Sequence, residues 1–153
     1  ALFRTGNAPG SDSAFAAGIA DADPGRLQFV LPYRGHRKAS LHADSRHVAL
    51  SDLSREDEER AAYHTAQASP CHADLLSRRF TIPKLQAKAR YLVRDTLKVT
   101  GIPYGNFAPA NVGLFYVRTG NPLQGGTGHT IRVCQAHAVP VAFQADWLHW
   151  PRP

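Results

Sequence analysis

Thr5-Gly6-Asn7-Ala8-Pro9-Gly10-Ser11-Asp12 stands near the start of the chain, and Gly125-Gly126-Thr127-Gly128-His129-Thr130 stands near its end. Each stretch is rich in small residues and leads into apolar residues at helical spacing. Such a segment reads as the turn from a strand into a helix. Glycine has no Cβ, so its backbone can approach an anion closely. A helix starting there adds free N–H groups and the positive end of its dipole. One loop of this kind is a weak signal, because ordinary tight turns use the same residues. Two such loops, each between a strand and a helix, predict an α/β domain with a phosphate cradle at one sheet edge.

Working outward, residues 1–4 are short and apolar and feed the first loop. Phe15, Ala16 and Ile19 then recur at helical spacing, and Asp21-Ala22-Asp23-Pro24-Gly25 stops that helix. Leu27–Leu31 reads as a strand closed by Pro32. From 33 to 53 the pattern weakens, and the basic stretch Arg34-Gly35-His36-Arg37-Lys38 reads as part of a long functional loop. Ser54 with Asp57 resembles a capping box opening a helix over Arg55–Ala68. Residues 84–100 give the clearest helix. Leu85, Ala89, Leu92, Val93, Thr96 and Leu97 share one face, and Lys84, Lys88, Arg90, Arg94 and Lys98 lie off it. Pro83 suits its first turn and Gly101 its end. Residues 112–117 read as a strand buried on both faces. The second loop follows over 119–126, then a helix carrying Ile131, Cys134 and Ala138. The last strand is 139–144, and the tail Trp147-Leu148-His149-Trp150 is expected to pack its indoles across an edge.

Strands separated by helices imply parallel pairing and right-handed crossovers. The expectation is one Rossmann-like, three-layer α/β domain over residues 1–153 with a mainly parallel sheet. Ligands of such sheets sit at the carboxyl ends of the strands.

Composition agrees with a globular domain: 153 residues, 43% hydrophobic and 20% charged. No apolar run approaches the roughly 18–20 residues that cross a bilayer, and no signal-peptide pattern is present. A cytoplasmic protein without membrane association is expected. Two well-separated cysteines, Cys71 and Cys134, fit a reducing compartment. The formal charge of +6 favours anionic partners, though a basic balance serves solubility equally well.

Arg4-Thr5-Gly6-Asn7-Ala8-Pro9-Gly10-Ser11-Asp12-Ser13-Ala14-Phe15 resembles the "SGGAPGAD-aF" loop of the SLOG superfamily. That superfamily joins the Rossmann domain of DNA-processing protein A with the LOG phosphoribohydrolases. Gly125-Gly126-Thr127-Gly128-His129-Thr130-Ile131-Arg132 resembles its second loop, and Val139-Pro140-Val141 the strand after it. Leu31-Pro32-Tyr33-Arg34-Gly35 resembles the "LPWKGF" segment of small phage and bacterial members. Ala89-Arg90-Tyr91-Leu92-Val93-Arg94-Asp95 resembles their "AR-LHARN" helix. The likeness spans nearly the whole chain with the motifs in order. It implies a nucleotide-related ligand held between the two loops, and members often form homo-oligomers.

Two departures matter. LOG phosphoribohydrolases carry "PGGxGTxxE", and aligning the second loop on it puts Arg132 at the glutamate. Arginine stays charged and cannot serve as a general base, which weakens a hydrolase reading. In the family the first loop follows the second strand, so a first β-α unit is expected to be lost, to lie before residue 1, or to come from a partner.

The binding residues expected are Arg4, Gly6, Asn7, Pro9, Gly10 and Asp12 from the first loop. From the second they are Gly125, Gly126, Thr127, Gly128, His129 and Thr130. Arg90 and Arg94, one turn apart, would clamp phosphate. Asp12 reads more simply as a helix cap. Tyr33 and Tyr104 are aromatics able to stack on a base. His36, His42 and His47 have no cysteine near, and no metal or cofactor is expected. Cys71-His72 is adjacent in sequence, which is not the geometry of a nucleophile and its base. Three functions follow: binding of a nucleotide or nucleotide derivative, single-stranded DNA binding through the 34–38 loop and the basic helix, or nucleotide N-glycoside hydrolysis.

Overall fold

The computed structural model describes residues 1–118 and 120–151. The chain is a mixed α/β protein whose strands are short and parallel. Strand β1 (Phe3–Thr5) leads into helix α1 (Ser11–Ala22), and β2 (Leu27–Leu31) follows. β3 (Arg46–Ala49), α2 (Arg55–Ala68), the short α3 (Ala73–Ser77) and the long α4 (Pro83–Thr100) come next. The chain then forms β4 (Gly113–Phe115), α5 (Gly125–Ala136), β5 (Val141–Phe143) and the single turn α6 (Gln144–Trp147).

β2 is the centre of the first sheet and is buried along its whole length. Its side chains alternate between two layers. Leu27, Phe29 and Leu31 join Ala16 of α1 in one cluster. Val30 joins the opposite cluster with Ala61 and Ala62 of α2 and Ala89, Val93 and Leu97 of α4. Burial on both faces explains why this strand is an unbroken apolar run. Each fully buried large apolar side chain contributes roughly 1.5–3 kcal/mol, so β2 is the principal anchor of both layers. A third cluster, with Val99, Phe115, Ile131 and Val133, joins α4 and α5 to β4 and β5.

The helix signals act as read. Ser54 Oγ accepts from the Asp57 amide at the start of α2. Pro83 opens α4, and Gly101 ends it at φ 77°. No helix among the described residues is long and apolar enough to cross a membrane.

Four expectations need correction. The 33–53 segment is not all loop, because Arg46–Ala49 pairs in parallel with β2. Its first two residues are exposed and only Val48 and Ala49 are buried, so this edge strand lacks apolar alternation. The 112–117 run gives a strand of only three residues, with Val112 and Tyr116 exposed. The strand expected over 139–144 is confined to Val141–Phe143, and Gln144 already begins α6. Of the two tail indoles, Trp147 packs edge-on against Phe15 and donates to the Phe115 carbonyl, whereas Trp150 is exposed. The named strands all pair in parallel, as expected, and lie in two sheets. β1, β2 and β3 form one sheet in that order, and β4 with β5 forms a second.

Candidate functional site

Both glycine-rich loops open onto one cleft of about 830 Å³ between β1 and β4. The first contributes Ala8, Pro9, Ser11 and Asp12, and the second Gly126 and Thr127, with Thr130 one turn on. The loops leave the carboxyl ends of β1 and β4, where α/β sheets place ligands. A further cavity of about 870 Å³ lies at the other end, beside Asn111 and Pro140, which precede β4 and β5.

The first loop is tied from inside. Gly10 has φ 85°, a conformation open chiefly to glycine, and it starts α1 with no side-chain cap. Asp12 does not cap the helix; it reaches back to accept from the amides of Gly6 (2.9 Å) and Ala8 (3.2 Å). Burial opposes its negative charge, but Lys98, the Ala8 amide, Arg94 and the Gly6 amide outweigh it. Its carboxyl therefore titrates below the usual carboxylate range. Asn7 is buried, and its amide donates to the carbonyls of His36 and Arg37. Arg37 in turn donates to the Asn7 carbonyl and Ser13 Oγ. Arg34 pairs with Asp52. The basic 34–38 segment thus closes over the first loop with both arginines engaged.

Helix α4 supplies the charged floor. Arg94, expected to clamp phosphate, is 6% exposed and is engaged by the protein itself. Its Nη1 donates to the Gly6 carbonyl at 3.1 Å. Its Nε and Nη2 donate to Asp95 Oδ1 at 3.1 and 2.8 Å, and Lys98 Nζ meets the same oxygen at 3.0 Å. The reason is that α4 packs against both α2 and α5 as well as the β2 strand, leaving only a narrow face for water. A Cβ on Gly6 would sit 2.8 Å from Arg94 Cζ, and one on Gly126 would sit 3.0 Å from Asp95 Oδ2. These two glycines therefore make room for the Arg94–Asp95 pair between the loops. Arg4 is engaged in the same way. It donates to Gln28 Oε1 and to the carbonyls of Lys98 and Ala108, and it lies over the Phe107 ring. Burial lowers its pKa to about 10. Arg90 is half-buried and lies outside the cleft lining.

The second loop opens α5 with Gln124 at the cap and no side-chain cap bond. The Gly128 amide donates to the Gln124 carbonyl. The amides of Gly125, Gly126 and Thr127 precede it and have no protein partner among the described residues. Gly128 serves packing, because a Cβ there would overlap the Leu123 carbonyl. Thr130 Oγ1 donates back to the Gly126 carbonyl. His129, expected at the ligand, is turned into the core and fully buried. Its Nδ1 bonds Ser69 Oγ at 2.8 Å and its Nε2 bonds Thr96 Oγ1 at 3.1 Å. Burial pushes its pKa down to about 4. Arg132 also faces away from the cleft, donating to Ser69 Oγ and the Leu123 carbonyl. The cleft-facing positions of α5 are Gly126, Thr127, Thr130 and Cys134, none a carboxylate.

The remaining candidates lie elsewhere. His36 is buried edge-on between Tyr33 and Tyr91, and neither ring nitrogen has a hydrogen-bond partner among the described residues. Among the described residues no group of three His, Cys, Asp or Glu is placed to hold a metal. Tyr104 donates to the Asp52 carbonyl, and neither Tyr33 nor Tyr104 lines the cleft. Cys71 is exposed and Cys134 buried, both as free thiols. Sequence reading missed Lys98, whose stem places its ammonium beside Asp95. The signal available was their i, i+3 spacing on one helix. In sum, Arg4, Arg94 and Lys98 face Asp12 and Asp95 around the cleft, one positive charge in excess.

No family model, curated protein or solved structure matches the chain. The reading of the cleft rests on its own geometry.

Proposed function

We propose that this chain is a binding module for a nucleotide or nucleotide derivative, whose phosphate lies at the mouth of the cleft between the two glycine-rich loops. The observation that carries the reading is the convergence of two helix N-termini on one cleft, both without a side-chain cap. Asp12 already occupies the amides of Gly6 and Ala8, so the phosphate would not sit in the first loop itself. The donors left are the first-turn amides of α1, at Ser11 to Ser13, and of α5, at Gly125 to Thr127. Such amides and the two dipole ends favour an anion. The excess positive charge of the cleft acts in the same direction, and the likeness of both loops to SLOG sequences agrees with it. The volume falls within the range of about 300–1,000 Å³ usual for small-molecule sites.

The test is a thermal-shift screen of the four nucleoside monophosphates, inorganic phosphate and a single-stranded oligonucleotide at low and high salt. A mononucleotide should raise the melting temperature with modest salt dependence. Stabilisation by the oligonucleotide alone, lost steeply with salt, would move the reading to nucleic acid. Release of free base would move it to hydrolysis. No stabilisation by any of them would end the cradle reading.

A further inference from the structure

The cavity of about 870 Å³ beside Asn111 and Pro140 has apolar walls from Leu53, Leu97, Ile102 and Pro103, and two histidines stand in it. His64 lies on α2, two turns after Asp57 and on the same face. His137 is the residue that ends α5. Because α2 packs against α5, the two rings meet, with centroids 4.9 Å apart and planes at 69°. His64 is half-buried and His137 is exposed. His129, by contrast, commits both ring nitrogens to Ser69 and Thr96. His64 and His137 commit none to a hydrogen bond among the described residues. Burial, then His137 and Arg60, lower the His64 pKa, so its ring is neutral at pH 7 and keeps a lone pair free. The other charged groups lining the cavity are Asp57 and Arg60, which pair with each other. Asp57 also accepts from Ser54 Oγ. Together they bring no net charge and no spare carboxylate. The ends of α4 at Gly101 and of α5 at His137 line the same cavity. Helix C-termini favour a cation over an anion.

We propose that His64 and His137 together ligate one divalent transition ion at the wall of this cavity. Imidazole is the protein ligand that suits zinc, nickel and copper. Distances allow it. A ligating nitrogen lies about 2.1 Å from the ion and about 1.2 Å from its own ring centre, so each centroid stands about 3.3 Å from the ion. With about 90–110° between the two bonds, the centroids stand about 4.6–5.4 Å apart. The observed 4.9 Å falls inside that range. Rotation about the broad χ2 torsion aims one nitrogen of each ring at the common point and leaves the centroids nearly in place. No third His, Cys, Asp or Glu joins the pair among the described residues. The remaining coordination positions therefore face the cavity and are open to water or to a small ligand, the arrangement of a reactive rather than a structural metal site. Both histidines are placed by helices that pack on each other, which holds the pair more firmly than loops would. The inference does not depend on the nucleotide reading, since neither histidine lines the cleft between the glycine-rich loops.

The probe is Ni²⁺, which binds imidazole and does not oxidise the exposed Cys71 thiol as Cu²⁺ would. Isothermal titration at pH 7.5 is run on the intact chain, on His64→Asn, on His137→Asn and on the double variant. One ion per chain is expected, and each single variant should bind it at least tenfold more weakly. The double variant should lose little more, because either histidine alone has already lost the chelate. A loss below tenfold in either single variant, or two losses that simply add, overturns the proposal. Displacement of Ni²⁺ by a tenfold excess of Mg²⁺ overturns it as well, since that would mark an oxygen site. A second measurement needs no variant. Substoichiometric Ni²⁺ is paramagnetic and should broaden the ring resonances of both His64 and His137 in the native protein before those of His42, His47, His72 or His149. Broadening of only one of the pair, or of another histidine first, counts against a shared ion.

Discussion

The Arg94–Asp95–Lys98 cluster between the loops makes a sharp prediction through Asp95→Leu. The carboxylate is 3% exposed and accepts two bonds from Arg94 and one contact from Lys98 through Oδ1. Removing it leaves the Arg94 guanidinium, 6% exposed, with only the Gly6 carbonyl. Breaking a buried pair by deleting one partner costs about 3–5 kcal/mol. Lys98 adds little, since its long stem can carry the ammonium to water. At about 2–4 °C per kcal/mol for a chain of this size, the melting temperature should fall by roughly 6–20 °C. The second half of the prediction is the reverse effect of Arg94→Met added to Asp95→Leu. An apolar pair of similar volume avoids the desolvation of both charges and is often neutral, so the double variant should recover most of the loss. Urea denaturation of the native protein, the two single variants and the double variant supplies the cycle. A loss below about 1 kcal/mol for Asp95→Leu, or a double variant no more stable than the single, would refute the buried floor.

Other expectations concern the same elements. His129 is buried with its pKa at about 4, so below pH 6.5 the unfolded chain takes up a proton that the fold refuses. Stability should fall by roughly 3 kcal/mol from pH 6.5 to 4, and His129→Gln should flatten that slope in denaturation at stepped pH; an equal slope in both proteins counts against the buried ring. Asp12 also has a folded pKa below its unfolded one, but because the fold favours its charge rather than refusing it, so its contribution is full above about pH 4 and is lost only at lower pH. Gly128→Ala forces the Leu123 carbonyl away and should cost about 1–3 kcal/mol, read as a lower melting temperature with faster exchange at the second loop. Arg4→Ala removes bonds to Gln28, Lys98 and Ala108 and should cost about 2–4 kcal/mol, while Arg90→Ala should stay within about 0.5 kcal/mol; equal effects in thermal melts would contradict the assignment of Arg4 as a buried brace.

The parts of the fold written in local chemistry were legible. The Ser54–Asp57 cap, Pro83 and Gly101 act within a few residues of themselves, and Leu27–Leu31 is apolar because both faces are covered. β3 was illegible because its pairing with β2 is a long-range contact and half of its side chains face water. The cleft shows the same division. The two loops were legible from their glycines, but the occupants of those loops were not. Arg94 reads as a free phosphate clamp until α4 is packed from several sides, and His129 sits in a loop motif yet turns into the core early in α5. Asp12 looked like a cap, and only the folded loop shows that its carboxylate fills the amides a phosphate was expected to use.

The central claim is that an anion sits between the first turns of α1 and α5. Thr127 is exposed in the first turn of α5 and lines the cleft. A glutamate at this position suits the helix dipole, so Thr127→Glu should keep or slightly raise stability. The same carboxylate would stand where the phosphate is placed. Isothermal titration of the best nucleoside monophosphate from the screen into both proteins decides the matter. The account predicts at least tenfold weaker binding to Thr127→Glu with an unchanged melting temperature of the free protein. Equal affinity for the two proteins would contradict it.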